Sequence, residues 1–143
     1  MSRSRPYSAL IERLKTAGLR PTRQRLALAK LLLEGGHRHV TAEQLHGEAR
    51  DADVRVSLAT VYNSLHQFND VGLLREVVVA PGRSYFDTNV EDHHHFYFED
   101  SCTLQDIPGG EVHLDTMPQP PAGTRVARVD VIIRISKDPS YPC

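Results

Sequence analysis

The histidine run His93–His95 contains the residues of this sequence best suited to chemistry. It opens a predicted strand, in which residues two apart share a face, so we expect His93 and His95 to point together and His94 to point away. Nearby carboxylates are Asp87, Asp92 and Asp106. Two imidazoles on one face with carboxylates close by form half of a nitrogen/oxygen site for a divalent transition metal, although a purely structural role is the alternative for each histidine.

A predicted helix between the N-cap Ser57 and the terminating glycine Gly72 carries a second group of candidate residues. Its apolar stripe consists of Leu58, Val61, Leu65 and Phe68. Its opposite face is small or uncharged and polar, with Ala59, Thr60, Tyr62, Asn63 and Gln67. Such hydrogen-bonding groups at the start of a helix can bond base edges and phosphates in a major groove, and an ordinary amphipathic helix is the alternative interpretation.

Basic residues are concentrated near the N-terminus. Only Glu12 opposes seven of them in the first 25 residues, which are Arg3, Arg5, Arg13, Lys15, Arg20, Arg23 and Arg25. Residues 1–76 hold twelve Lys and Arg against eight Asp and Glu, while residues 77–143 hold five against ten. A basic first part suits a polyanion such as nucleic acid, and an acidic second part with histidines suits a cation, although solvated charges are the alternative.

The elements before and after this helix predict a winged helix-turn-helix domain. Ser8–Ala17 reads as a helix, a second begins after the N-cap Thr22, and the Thr41-Ala-Glu-Gln capping box opens a third. The helix between Ser57 and Gly72 is the predicted reading helix, which would enter the major groove of DNA. A strand-turn-strand pattern over 73–87 follows it, and a hairpin in that place is the wing.

The second part of the chain predicts a small α/β domain. Strands are expected over 96–98, 103–107 and Arg125–Ile135, with a short helix over Glu111–Thr116. The last strand has a half-buried pattern of period two, in which Val129, Val131, Ile133 and Ile135 alternate with Arg128, Asp130, Ile132 and Arg134. Three strands make a thin sheet whose edges need cover, so a second copy of the chain is the expected partner. We therefore predict an α+β protein with a winged-helix DNA-binding domain over 1–88 and an α/β dimerisation and sensing domain over 89–143.

Targeting and cysteine signals indicate a cytoplasmic protein. The start of the chain is polar, with no apolar segment of a signal peptide, and no run is long enough to span a bilayer. Cys102 and Cys143 do not form a C-x-x-C pair, so neither a disulfide framework nor a thiolate zinc site is predicted.

These motifs together resemble the ferric uptake regulator (Fur) superfamily over essentially the whole chain. The matching segments are Leu14–Arg25, His39–Leu45, Ser57–Tyr62, Gly72-Leu-Leu, Tyr85-Phe-Asp87 and the histidine run. Within the family the chain is most similar to the iron response regulator (Irr) branch, through Phe86–Val90, His93–Tyr97 and Val126–Val131. The resemblance implies a dimeric, metal- or haem-responsive repressor that binds double-stranded operator DNA and controls genes of iron and haem homeostasis.

The resemblance also implies ligands for a regulatory metal. Carried over residue by residue, that site falls on His39, Asp87, His93, His95 and Asp106. A cation bound by all five would fix one angle between the two domains, and hence one spacing between the two reading helices of a dimer. The donor atoms suit Fe²⁺, Mn²⁺ and Zn²⁺ alike.

The same matching implies DNA contacts. Arg20 takes a minor-groove basic position of the family, and Tyr62 a base-contacting position. On physical grounds we add Arg23, Arg25, Arg55 and Thr60 as phosphate contacts. Ser57 and Asn63, at the start of the same helix, complete the expected DNA-binding residues.

Three departures from the family pattern affect the expected cofactors. The four-cysteine structural zinc is absent, because Ser101 and Leu104 stand where the first cysteine pair would be and Cys102 is out of register. The further metal site of the dimerisation domain is only partly matched, by His94 with Asp92, Glu111 or His113. The Cys-Pro haem motif of some members is replaced by the reverse order, Pro142-Cys143, so haem would have to be held by the imidazoles of His93, His94 and His95.

Two other classes of function remain open at this point. Two histidines and a carboxylate are also the facial triad of mononuclear non-haem iron enzymes, although a winged helix leaves little chain for a substrate pocket. A DNA-binding regulator with a purely structural metal is the other alternative. We expect a regulator and not an enzyme.

Overall fold

The computed structural model describes residues 7–140, which divide into two compact units after Val90. The boundary predicted from the sequence lies two residues earlier, after residue 88. Helices with a small sheet form unit 1 (up to Val90) and a second small sheet forms unit 2 (from Glu91), so the prediction of an α+β fold is confirmed. Arg3 and Arg5 of the basic patch, and Pro142-Cys143, lie outside the described residues.

The helices of unit 1 begin where the sequence places caps. Within residues 7–90 they are α1 (Ser8–Thr16), α2 (Arg23–Leu33), α3 (Ala42–Asp51) and α4 (Leu58–Asp70). The Thr22 side chain caps α2, and the Ser57 hydroxyl caps α4 by accepting from the backbone of the third residue along. Thr41 and Gln44 form the predicted capping box of α3, with reciprocal hydrogen bonds of 3.1 and 2.9 Å. These bonds satisfy backbone donors that have no partner within the helix.

The sheet of unit 1 is antiparallel, with the order β1-β3-β2. Its strands are β1 (His39–Val40), β2 (Arg75–Ala80) and β3 (Arg83–Asp87). The strand β1 was not predicted. The hairpin strand predicted to begin at Leu73 begins two residues later, at Arg75. The backbone amides of Leu73 and Leu74 still donate to the carbonyl of Phe68 near the end of α4.

The inner face of α4 packs into the core of unit 1. Val61, Leu65 and Phe68 are buried, as the sequence predicted, together with apolar residues of α1, α2, α3 and β3. Leu58 is half-buried, and Ser64 is buried although it was not assigned to that stripe. Since burial fixes the rotation of the helix about its axis, Tyr62 and Asn63 point outward.

Unit 2 contains a three-stranded sheet with the order β5-β4-β6. The strands are β4 (His95–Phe98), β5 (Thr103–Asp106) and β6 (Ile132–Ile135). β4 and β5 form an antiparallel hairpin, whereas β6 pairs with β4 in parallel.

Two predictions in unit 2 are wrong. Glu111–Thr116 forms no helix, since this exposed segment of six residues offers neither a cap nor a packed face to offset the cost of helix nucleation. The predicted strand Arg125–Ile135 is reduced to Ile132–Ile135, because β4 provides only four residues with which it can pair. The expected half-buried alternation is also incomplete, since Ile133 is 38% exposed.

No helix among residues 7–140 has the length and apolar character needed to cross a membrane.

Candidate metal centre and nucleic-acid interface

The hairpin β4–β5 in unit 2 brings two imidazoles to one carboxylate oxygen. Asp106 is the pairing partner of His95 across the hairpin, and Oδ1 of Asp106 lies 3.2 Å from Nε2 of His95 and 3.2 Å from Nε2 of His93. The two imidazole rings are 4.4 Å apart between centroids. Two ligand atoms about 2.1 Å from one tetrahedral ion are separated by about 3.4 Å, so each imidazole nitrogen is spaced from the Asp106 oxygen nearly as a shared metal would require.

A backbone hydrogen bond sets the tautomer of His93. Nδ1 of His93 lies 2.5 Å from the carbonyl oxygen of Glu91, which can only accept, so Nδ1 carries the proton. In the neutral ring Nε2 then has the lone pair, and Nε2 is the atom beside Asp106. A carbonyl that orients the far nitrogen in this way is the usual support of a metal-binding imidazole.

A second imidazole and carboxylate pair lies in unit 1. His39 and Asp87 face each other as partners in the β1–β3 pairing, with His39 Nε2 3.8 Å from Asp87 Oδ2. The Asp87 side chain is 1% exposed, and its other oxygen accepts from the backbone amide of Asn89 at 2.9 Å. The wing strand β3 and the short strand β1 that precedes α3 therefore supply one nitrogen and one oxygen donor at the same end of this sheet.

His94 makes a different contact from its neighbours, as the strand alternation predicted. Its Nδ1 accepts a hydrogen bond of 3.1 Å from the backbone amide of Val131, just before β6. With Asp92 it lines a cavity of about 210 Å³, whereas Glu111 and His113 are exposed on the irregular segment that follows β5 and do not line that cavity. The residues of the partly matched further metal site, His94, Asp92, Glu111 and His113, are therefore not brought together as a whole.

The outward face of α4 presents the predicted reading residues. Tyr62 and Asn63 are exposed, and Thr60 is half-buried. The Ser57 hydroxyl is used within the helix, since it accepts from the Thr60 amide at 3.1 Å and donates to the Thr60 hydroxyl at 2.9 Å. Tyr62 donates to the carboxylate of Glu43 on α3 at 2.6 Å, a partner that the sequence did not indicate.

The predicted arginines differ in their contacts. Arg20, Arg23 and Arg55 are exposed. Arg25 is held against α4, because its Nε and Nη2 donate to Gln67 Oε1 at 3.2 and 3.0 Å and its Nη1 donates to the carbonyl of Arg20 at 2.9 Å. Arg25 thus ties the start of α2 to the reading helix, and Gln67 belongs to the same surface.

Beside this surface lie three further polar residues that the sequence did not indicate. A cavity of about 690 Å³ beside the start of α4 is lined by Arg55, Ser57 and Thr60, and also by Gln24, His46 and Arg50. His46 Nε2 lies 3.2 Å from the carbonyl of Val56, which ties α3 to the connection before α4. The sequence held one signal for the residues from α3. The connection between α3 and α4 is short, so the last turn of α3 must lie beside the first turn of α4.

Residues 16–114, more than half of the chain, match the sequence profile of the ferric uptake regulator family. The chain belongs to the ferric uptake regulator family. The predicted membership of that family is therefore confirmed, whereas its Irr branch stays a prediction.

Among curated proteins, a Fur-family relative is the peroxide-responsive repressor PerR of Staphylococcus aureus. It is 33% identical over 97 residues, which are 68% of this chain and 65% of the repressor. The match thus spans slightly less than two thirds of that relative's length. The family and this relative are named as regulators and not as enzymes, so the metalloenzyme hypothesis is set aside.

Solved Fur structures share the fold. The ferric uptake regulator of Vibrio cholerae aligns with a TM-score of 0.69 at 21% identity, over 90% of this chain and 99% of that one. The Pseudomonas aeruginosa regulator, solved with manganese, aligns with a TM-score of 0.66 at 22% identity, over 88% and 96%. At these identities the likeness establishes the fold, an α+β protein with a winged-helix domain.

Proposed function

We propose that this chain is a metal-responsive transcriptional regulator that binds operator DNA as a homodimer. The observation that chiefly supports a metal signal is the convergence of His93 and His95 on one oxygen of Asp106. The outward polar face of α4, flanked by exposed arginines, supports DNA as the partner. The PerR relative, which is named as a repressor, supports repression as the output.

In this proposal His93, His95 and Asp106 bind the cation, and His39 and Asp87 complete its ligand set. The donor chemistry suits Fe²⁺, Mn²⁺ or Zn²⁺, since imidazole and carboxylate ligands discriminate little among them. One ligand precedes α3 and another ends the wing, so metal occupancy would change the DNA-binding unit directly. Each donor pair is supported by its own geometry within its unit.

The finer proposal is an iron or haem signal of the Irr type. It is supported by the sequence resemblance through His93–Tyr97 and Val126–Val131. Haem would be bound by imidazoles of the histidine run, and the genes controlled would be those of iron and haem homeostasis.

The experiment is a DNA-binding measurement on the full chain under defined ligands. A preferred duplex is first selected from a random-sequence library, in parallel selections by the protein with chelator and by the protein loaded with Mn²⁺, Fe²⁺, Zn²⁺ or haem. Affinity for that duplex is then measured with chelator and with Mn²⁺, Fe²⁺, Zn²⁺ or haem. A ligand-dependent affinity supports the proposal, and the effective ligand identifies the signal. Sequence-selective binding that is unchanged across all conditions would mean that the metal is structural, and the absence of any selected sequence would refute DNA recognition.

A further inference from the structure

Glu43 and Tyr62 connect the outer surfaces of α3 and α4. The Tyr62 hydroxyl donates to Oε1 of Glu43 at 2.6 Å, a short bond of the kind that an ionised acceptor makes. Glu43 lies in the first turn of α3 and is exposed, and Tyr62 is 37% exposed. Both groups therefore lie on an exposed surface that α3 and α4 share.

The hydrogen bond fixes which group carries the proton. It raises the pKa of Tyr62 and lowers the pKa of Glu43, so at neutral pH Tyr62 is a neutral donor and Glu43 an ionised acceptor. A tyrosine hydroxyl has one proton, and here that proton is directed to Glu43. The phenolic oxygen then has only its lone pairs to offer to a further partner.

A hydroxyl in this state discriminates among the groups on DNA. Phosphate oxygens only accept hydrogen bonds, so they cannot pair with it, and the Glu43 carboxylate repels them as well. In the major groove the amino groups N6 of adenine and N4 of cytosine are donors, and they match the free lone pairs. The tethered Tyr62 is therefore suited to a base edge and unsuited to the backbone.

We propose that Glu43 is a positioning residue that holds Tyr62 as a hydrogen-bond acceptor, so that Tyr62 reads an amino group of adenine or cytosine. This rests on the proposed function, because it requires α4 to enter the major groove. Glu43 adds sequence discrimination to a surface whose arginines contact phosphates without base preference. Without Glu43, the Tyr62 proton becomes available to any phosphate.

The test compares variants of the full, Mn²⁺-loaded chain on two duplexes. One is the sequence that the wild type selects from a random library, and the other is the same composition scrambled. For Glu43→Ala we expect tighter binding to the scrambled duplex, a steeper salt dependence, and a selected-to-scrambled ratio reduced about tenfold, the size of one base contact. Tyr62→Phe should reduce that ratio similarly without tightening the scrambled complex.

Two variants separate positioning from charge. Glu43→Gln keeps an oxygen that accepts the Tyr62 proton, so it should retain more of the ratio than Glu43→Ala while also tightening the scrambled complex. Asp51→Asn removes one exposed negative charge from the other end of α3 and should strengthen both complexes alike, leaving the ratio unchanged.

A double variant tests whether Glu43 acts through Tyr62, and base analogues test whether Tyr62 contacts an amino group. In the Tyr62→Phe background, Glu43→Ala should reduce the ratio no further; an equal further loss, or no loss from Glu43→Ala alone, overturns the inference. Single adenines or cytosines of the selected duplex are then replaced by analogues without the amino group. At one position the replacement should weaken binding by the wild type but not binding by Tyr62→Phe. If no position behaves in this way, the inference is also overturned. If the wild type selects no sequence, the proposed function itself fails, and this outcome is distinct from an unchanged ratio.

Discussion

His95 and Asp106 are direct partners across the hairpin β4–β5, with Nε2 of the imidazole 3.2 Å from Oδ1 of the carboxylate. Partners in an antiparallel pair have closely spaced side chains, so the register of the hairpin fixes this distance. His93, two residues before His95, reaches the same oxygen. A short local element thus brings together three side chains of the kinds that bind divalent metals.

Removing both imidazoles should abolish metal binding while the fold remains. For His93→Ala combined with His95→Ala, we expect the affinity for Mn²⁺ to fall by more than the roughly 10–100-fold that loss of an outer-shell partner causes. Isothermal titration measures the affinity, and circular dichroism measures the fold. His37→Ala, which removes an exposed histidine outside the candidate set, is the control. A double variant that binds Mn²⁺ and responds like the wild type would disprove the site.

Arg20 should contribute one phosphate contact. For Arg20→Ala we expect weaker binding to all duplexes and a slope of affinity against salt lower by about one. The variant keeps the Arg20 carbonyl that accepts from Arg25, so the local structure is retained. Fluorescence anisotropy over a salt series measures the slope. Arg125→Ala removes an exposed arginine from unit 2 as a control, and equal slopes for Arg20→Ala and the wild type would exclude Arg20 from the interface.

The Glu43–Tyr62 bond should be visible in the titration of both groups. Because the pKa of Tyr62 is raised by Glu43, the contribution of the bond to stability is present below the ordinary tyrosine pKa of about 10 and is lost as pH rises through the raised value. Because the pKa of Glu43 is lowered, the contribution is present above the ordinary value of about 4.3 and is lost as pH falls through the lowered value.

Nuclear magnetic resonance of labelled tyrosine measures this effect. Glu43→Gln should lower the titration midpoint of Tyr62, whereas Asp51→Asn should not move it. In the converse variant, Tyr62→Phe, the midpoint of Glu43 should rise. Since both side chains are exposed, we expect little change in the free energy of unfolding. A Tyr62 midpoint that is the same with and without the Glu43 charge would contradict the bond.

The capping box at Thr41 should stabilise unit 1. Thr41→Ala removes the acceptor of the Gln44 amide bond, and we expect the free energy of unfolding to fall by about 1 kcal/mol. Urea denaturation followed by circular dichroism measures the change. Thr41→Ser keeps the hydroxyl and should restore most of the loss, so a serine variant as unstable as the alanine variant would contradict the role of the cap.

Local signals predicted the helices of unit 1 well. Thr22, Thr41 and Ser57 mark helix starts because a side chain oxygen within three residues of a free amide can cap it without help from the rest of the fold. The predicted common face of His93 and His95 was correct for a similar reason, since alternation is a local property of extended chain.

Contacts between distant residues explain what the sequence did not reveal. β1 is two residues long and exists only through its pairing with β3, so no local pattern marks it. The length of β6 is set by β4, and the alternation of Val129 and Val131 continues beyond the residues that β6 pairs with β4. The Glu43 contact with Tyr62 joins side chains nineteen residues apart, which periodicity within either helix cannot indicate.

The parallel pairing of β4 with β6 has a consequence for the order of events during synthesis. The hairpin β4–β5 closes over a few residues, whereas His95 meets its β6 partner Ile132 only after a long irregular connection has been made. On the ribosome, unit 1 and the hairpin can form while that connection is still being translated, and one edge of β4 stays open until Ile132–Ile135 emerges. Nascent chains stalled before Ile132 should therefore associate with one another by strand pairing at that edge. Chains stalled well after Ile135 should not associate.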